Sequence, residues 1–364
     1  MSNTSRTNFG RRTFLGHSAR LIGGAVALGT PLVAASRVAA SPVLAKGLRR
    51  PAAASLGTVR TAFNWVADVE WSAWYMADSG GMFADRGVTV ELLHGGPNTP
   101  AVAQVLAAGQ ADVGVASDEL QLIQANKEGA DFVILGAMYQ KSPNGWCWLA
   151  ETPIATVEDL VGKTLGLTTG DEIRVDAMFK LAGLEPDYEN FPMSFDPQPL
   201  IDGDVDAITC YVTNQPIQLK LQGIEAKSAP NSDFGLKAYG DVLFASKAYI
   251  DANRDLLVAY FAGLIGGVQA NVADPKAVIP LLTDTYGKDA EIDVVYTEAG
   301  NPAYIALLDS DYTAANGLLM IDPAYLEAEV YASYEAAGET DLPPVAELLD
   351  TSIIADAHAM LAAG

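Results

Sequence analysis

From residue 58 onward, apolar and polar positions fall into two alternating periods. Thr58 to Trp65, Val88 to Leu93, Ala111 to Ala116 and Phe132 to Met138 are apolar or β-branched runs of strand length. Between them, Trp71 to Ser79, Pro100 to Ala108 and Ser117 to Lys127 put apolar residues on one helical face, as with Val102, Val105 and Leu106. Gly80-Gly81 closes the first of these helices, and Ser117 caps the third with Asp118 and Glu119 in its first turn. The pattern restarts after residue 150. A capping-box spacing at Thr156 to Asp159 precedes a strand at Lys163 to Thr168, and Thr169 to Glu172 turns into a helix ending near Leu181. Phe191 to Phe195 and Asp206 to Tyr211 read as strands, with a short helix at Pro199 to Gly203 between them and another opened by Thr213-Asn214-Gln215-Pro216. After a strand at Val242 to Phe244 the chain becomes helical, over Asp251 to Asn271, Pro275 to Tyr286, Ala303 to Leu308, Pro323 to Ala337 and Pro344 to Ala362. Strands alternating with helices at this spacing predict an α/β fold of two similar lobes, each a mainly parallel sheet flanked by helices, with a helical C-terminal tail.

The charge divides the chain differently. Its 364 residues carry a formal −23, but residues 1–56 hold eight basic side chains and no acid, so the remainder stands at −31. Arg11-Arg12-Thr13-Phe14-Leu15, an apolar run from Leu21 to Ala35 and the small residues Val38-Ala39-Ala40 follow the order of a twin-arginine export signal. Residues 1–40 are thus expected to be a signal peptide, 41–56 a linker, and the working protein periplasmic. No later segment is expected to span a membrane, and no direct membrane insertion is expected once the signal is cleaved. A surface so acidic excludes nucleic acid as a partner and suits a salty medium, since the Debye length falls to about 3 Å at 1 M salt.

Candidate chemistry clusters where predicted strands run into helices, at 94–98, 117–119, 168–172 and 211–215. In open α/β sheets ligands bind outside such strand ends, so opposed lobes would gather these loops around one cleft. Trp65, Trp71 and Trp146 are candidate flat walls or ordinary core aromatics. Asn98 belongs to a Gly-Gly-Pro-Asn turn whose backbone N–H groups could meet a carbonyl or an anion. Ser117, Asp118, Thr169 and Glu172 are candidates for a polar or cationic ligand, with helix capping as their alternative role. Tyr211, Asn214 and Gln215 complete the candidate ligand set. Cys147 and Cys210 fall in different predicted lobes and are read as two buried free thiols. Only His94 and His358 follow the signal, far apart and without a cysteine cluster, so neither a metal nor a cofactor is expected. There is no G-x-S-x-G and no P-loop phrase, so no catalytic residue is assigned.

Several phrases, in this order and spacing, resemble the NMT1/THI5-like family of periplasmic substrate-binding proteins. They are Phe63-Asn64-Trp65, GGMFADRGVTVELL (80–93), AAGQADVGVAS (107–117), TVEDLVGKTLGL (156–167), IDGDVDAITCYVTNQP (201–216) and GDVLFAS (240–246). The resemblance implies a type II periplasmic-binding-protein fold. It divides the chain into lobe one at 58–149 and 238–310, lobe two at 150–237, and C-terminal helices 311–364 packed on lobe one, with hinge crossings near 149–152 and 234–240. It implies a monomer that captures a small flat heterocycle, such as a thiamin-precursor pyrimidine or a flavin, by hinged closure and delivers it to an ABC permease and its ATPase. Alkanesulfonate, nitrate or taurine is the alternative ligand class. Family members that bind thiamin-precursor pyrimidines often carry an acid where Gln215 stands. THI5-type pyrimidine synthases consume a histidine where this chain has Trp71 and carry a cysteine cluster that it lacks, so an enzyme of that kind is disfavoured.

Overall fold

The computed structural model describes residues 54–290 and 292–363. The expected signal peptide and the linker up to residue 53 lie outside the described residues. Ten strands form two five-stranded sheets. The first contains β1 (Gly57–Ala62), β2 (Val88–Leu93), β3 (Val113–Ala116), β4 (Phe132–Tyr139) and β10 (Gly240–Ser246) in the order β2-β1-β3-β10-β4. The second contains β5 (Asn144–Leu149), β6 (Lys163–Leu167), β7 (Tyr188–Pro192), β8 (Ala207–Tyr211) and β9 (Ala226–Pro230) in the order β7-β6-β8-β5-β9. In both sheets the first three strands pair in parallel and the fourth is antiparallel to its neighbours. The expected two-lobed α/β plan with mainly parallel sheets is present, and each lobe repeats the other's strand order.

In each lobe the antiparallel strand is the one that follows a crossing between lobes. The chain leaves lobe one through residues 140–143 and enters lobe two as β5; it returns through 231–239 and enters lobe one as β10. This moves the expected boundary. A division at 149/150 assigns Asn144–Leu149 to lobe one, but the segment pairs with β8 and β9 in lobe two. The first crossing therefore lies at 140–143, not 149–152, while the second falls close to its expected place. The two crossings touch where the Ser142 N–H donates to the Ala238 carbonyl (3.0 Å). The same shift puts Cys147 and Cys210 in one lobe, both buried and both free, in a small apolar cluster with Leu200, Ile208 and Leu219.

The long helix Lys247–Ala273 follows β10 directly, capped by Ser246 Oγ accepting from the Tyr249 N–H. By length and composition it could cross a membrane, contrary to the sequence expectation. Here 72% of its apolar window is buried inside the lobe-one core, against helix Ser72–Ser79 and the C-terminal helix Ser352–Ala363. Gly263, Gly266 and Gly267 line the face that meets residues 73–83, so the backbones approach closely.

The tail also departs from its expected place. Helix Ser352–Ala363 packs on lobe one, but helix Tyr331–Ala336 lies against helix Asp171–Leu181 of lobe two. Ser333 Oγ accepts from the Lys237 N–H (2.7 Å), and Lys180 Nζ reaches the Ala336 carbonyl (3.3 Å). The same turn holds lobe one: Tyr334 donates its hydroxyl to the buried Glu119 carboxyl (2.6 Å). The tail thus spans both lobes on a third path.

Candidate functional site

A cleft of about 580 Å³ opens between the lobes. Lobe one contributes the segment after β1 (Asn64, Trp65, Asp68, Glu70), the rim at 99–104 and Ser117 after β3. Lobe two contributes Asn144, Thr168, Thr169, Asp171 and Arg174, together with Phe195, Tyr211, Asn214 and Gln215. Apart from Asn144, which opens β5 opposite Tyr211, these positions lie at or after strand C-termini, where unpaired backbone and helix starts face outward.

Six of the eleven sequence candidates line this cleft: Trp65, Ser117, Thr169, Tyr211, Asn214 and Gln215. Trp65 meets Phe195 edge-to-face across the lobes, ring centroids 5.3 Å apart. Ser117 Oγ accepts from Asn64 Nδ2 (2.8 Å), and Tyr211 of the other lobe lines the same cleft. Gln215 is 5% exposed, and both ends of its amide are already engaged: Oε1 accepts from the Tyr211 N–H (2.9 Å) and Nε2 donates to the Phe195 carbonyl (3.3 Å). It staples two cleft loops together. Asn214 Oδ1 accepts from Gln218 Nε2 (2.7 Å), and Thr169 is exposed at the rim.

The other five lie elsewhere. Trp71 is fully buried, its Nε1 donating to the Val66 carbonyl (2.9 Å) and its ring tilted on Phe63. Trp146 is fully buried beside Phe234, with Nε1 on the Met178 sulfur (3.4 Å). Both are core aromatics, packed in the hydrophobic clusters of lobe one and lobe two. Asn98 is exposed outside the cleft lining. Glu172 turns back to its own helix start, accepting from the Gly170 N–H (3.0 Å) and from Asn190 Nδ2 (2.9 Å). Asp118 is buried behind the wall, where it holds Arg174 of the other lobe (2.8 Å).

That ion pair ties the two lobes together. Arg174 also reaches Asp171 (3.4 Å), and the two carboxylates raise its pKa above the ordinary value. Asp118, one of the acids the sequence offered to a cationic ligand, is thus engaged by the protein's own arginine, together with Asp171. Sequence reasoning missed Arg174 because its guanidinium looked like one exposed charge on a helix.

A second acidic group has no such partner. Asp68 and Glu70 line the cleft, and Asp241 stands behind Glu70 with carboxyl facing carboxyl. Burial raises Asp68 to about 7 and Asp241 to about 8, and it pushes Glu70 well above the usual carboxylate range. Glu119, buried under Tyr334, is also raised to about 7. At neutral pH the folded chain therefore holds protons that the unfolded chain has released. The stability these groups contribute is fully present below the unfolded carboxyl value of about 4 and is lost as pH rises through 7 and 8. Urea denaturation of the ligand-free protein should show stability falling across that window, with a flatter slope in Asp241→Asn. A rise in stability over the window would contradict the buried, protonated state. His94 moves the other way: burial lowers it to about 4, so it is neutral beside Tyr75 and Phe63.

Two mixed sheets joined by a double crossing, with a cleft between them, define the periplasmic-binding-protein fold. The sequence profile described as NMT1/THI5 like matches residues 69–278, and the chain belongs to that family. It is similar to a formylaminopyrimidine-binding protein of Halalkalibacterium halodurans, 25% identical over 63% of this chain and 70% of that protein. It is also similar to the riboflavin-binding protein RibY of Chloroflexus aurantiacus, 25% identical over 62% of this chain and 66% of that one. Among solved structures, the periplasmic aliphatic sulphonate binding protein SsuA from Escherichia coli superposes with a TM-score of 0.58 at 17% identity, covering 80% of this chain and 96% of the other.

Proposed function

We propose that this chain is the periplasmic solute-binding component of an ABC importer and that it captures a small flat heterocycle between its lobes. The observation that carries this reading is the cleft itself. Its volume lies within the range of about 300–1,000 Å³ usual for small-molecule sites, and aromatic and hydrogen-bonding groups enter it from both lobes. Trp65, Phe195 and Tyr211 supply flat apolar surface; Asn64, Ser117, Thr168 and Asn214 supply donors and acceptors. The relatives named for a formylaminopyrimidine and for riboflavin support the same class of ligand. A free sulfonate fits less well, because the one cleft arginine is already held by Asp118 and Asp171 and the start of helix Asp171–Leu181 carries two carboxylates.

Closure is by hinge. Ligand contacts made by both lobes favour the closed arrangement over an open one. The closed form of a monomer then meets a membrane permease and its ATPase, the −31 exported surface facing basic permease loops. Twin-arginine export delivers the chain to the periplasm, and capture rather than turnover is its role.

Mass spectrometry of small molecules that co-purify from the native periplasm tests this directly, alongside thermal shifts with pyrimidines, flavins, sulfonates and nitrate. A true ligand at 100 times its Kd should stabilise by about 2.7 kcal/mol. Stabilisation by sulfonates alone would overturn the heterocycle reading. Trp65→Ala should weaken binding about tenfold without changing the far-UV spectrum, an aromatic contact being worth roughly 1 kcal/mol or more. Unchanged affinity would remove Trp65 from the ligand's surroundings.

A further inference from the structure

We propose that the inner end of the cleft is a subsite for a protonated amine, formed by Asp68 and Glu70 at its surface with Asp241 behind them, so that the ligand is a ring compound bearing a basic nitrogen. The proposal rests on the heterocycle reading and adds a charge to it.

The geometry points there for three reasons. Glu70 is only 7% exposed, lines the cleft, and leaves Oε1 without a hydrogen-bond partner among the described residues. Asp241 is fully buried, and no N–H or O–H donor of the described residues reaches either of its oxygens; the Glu70 carboxyl is what it faces. Asp68 uses one oxygen to accept from the Glu70 N–H (2.9 Å), which fixes the turn that aims both acids inward. A buried carboxyl without a donor is costly, and so is a close pair of them unless they share a proton. Asp241 moreover sits at φ 48, a backbone setting that side chains other than glycine rarely adopt. The fold therefore maintains three acids at a place where stability alone would favour amides or apolar residues.

The surroundings select the occupant. Tyr75, Tyr139, Tyr211, Tyr296 and Tyr304 crowd the acids, and all keep their protons through burial and the nearby carboxyls. His94, beyond Tyr75, is neutral. Arg174, the cation nearest to hand in the cleft lining, is held by Asp118 and Asp171. No group of three or more acids, histidines or cysteines with metal-binding geometry occurs among the described residues. Compensation must then come from the solute, and an ammonium with three N–H donors matches clustered carboxyl oxygens better than a neutral hydroxyl does. When the ammonium enters, the carboxyls give up protons to solvent and become carboxylates, while the amine keeps its charge. Binding thus releases protons and tightens as pH rises from about 6 to 8, opposite to the trend in ligand-free stability.

Matched probes test this by calorimetry: an aminomethylpyrimidine against the same ring with a hydroxymethyl group, and aminomethylpyridine against hydroxymethylpyridine. Each amine should bind at least about tenfold tighter than its alcohol, as expected for a charge-assisted bond, and should release protons when titrated in two buffers of different ionisation enthalpy. Glu70→Gln, with Asp68→Asn as a second variant should the first misfold, should remove the preference for the amine over its alcohol and the proton release. If riboflavin or formylaminopyrimidine binds but no amine exceeds its alcohol, the amine subsite is wrong and the heterocycle reading stands. If no ring compound binds at all, both are wrong.

Discussion

Arg174→Ala should open the lobes and weaken ligand binding at least tenfold. The arginine rises from the first turns of helix Asp171–Leu181 in lobe two and meets Asp118, whose side chain is 4% exposed in lobe one. Removing it leaves a buried carboxylate without its cation, a loss that costs about 3–5 kcal/mol in a fully buried pair and nearer 2 kcal/mol here, where the guanidinium keeps some contact with water. The cost falls on the closed form, because the partners belong to different lobes, so affinity should drop by the same energy. Titration calorimetry with the identified ligand reads the affinity, and small-angle scattering of the ligand-free chain should show a larger radius of gyration. Arg174→Lys should recover only part of the effect, since one ammonium cannot span Asp118 and Asp171 as the planar fork does. Wild-type affinity in the alanine variant would show that the pair does not govern closure.

Gly267→Ala should be the most damaging single methyl in lobe one. Helix propensity alone favours alanine by about 1 kcal/mol. Yet a Cβ at Gly267 would strike the carbonyl oxygen of Ala73, a backbone atom, and come within 2.7 Å of the Ala77 Cβ. The two helices would have to separate along the largest contact between helices in the core. A net loss of about 2–3 kcal/mol is expected, measured by urea denaturation. Gly266→Ala is the internal comparison. Its Cβ meets the Met82 sulfur at 2.9 Å, the flexible end of a side chain that can move aside, so that variant should stay near wild type. A Gly267→Ala protein as stable as wild type would mean that the helices are not packed this closely.

The lobes were readable from sequence because their strands alternate with helices at regular spacing; seven of the ten strands lie where the apolar runs predict them, and an eighth, β7, lies three residues earlier than expected. The two that escaped explain the misplaced boundary. In β5 the run Trp146-Cys147-Trp148 is buried on both faces, so no alternation marks it; β9 is a short edge strand, AKSAP, ending in proline. Without them, the first crossing could not be seen, and the cysteines fell on opposite sides of it. At the site, the reasoning from strand ends found the loops but not the partners. Ser117 and Thr169 come one and two residues after β3 and β6, Tyr211 ends β8, and all three line the cleft. Trp71 and Trp146 do not, because an indole's type reveals nothing of which face it occupies. Asp68 and Glu70 look like ordinary capping acids in sequence; only the distant return of β10 sets Asp241 behind them. That pairing spans nearly half the chain and leaves no local pattern.

The tail helix Tyr331–Ala336 works as a splint across the joint. Two short crossings alone form a pivot with a single easy axis. A third connection restricts that freedom, because Ala336 is held by lobe two and Tyr334 grips lobe one, while Ser333 holds the second crossing at Lys237. When the lobes part, the helix must either slide along Asp171–Leu181 or travel with it and draw Tyr334 off Glu119. In the proposed closure, the swing is then set by how far that splint can shear as much as by the crossings that join the two halves.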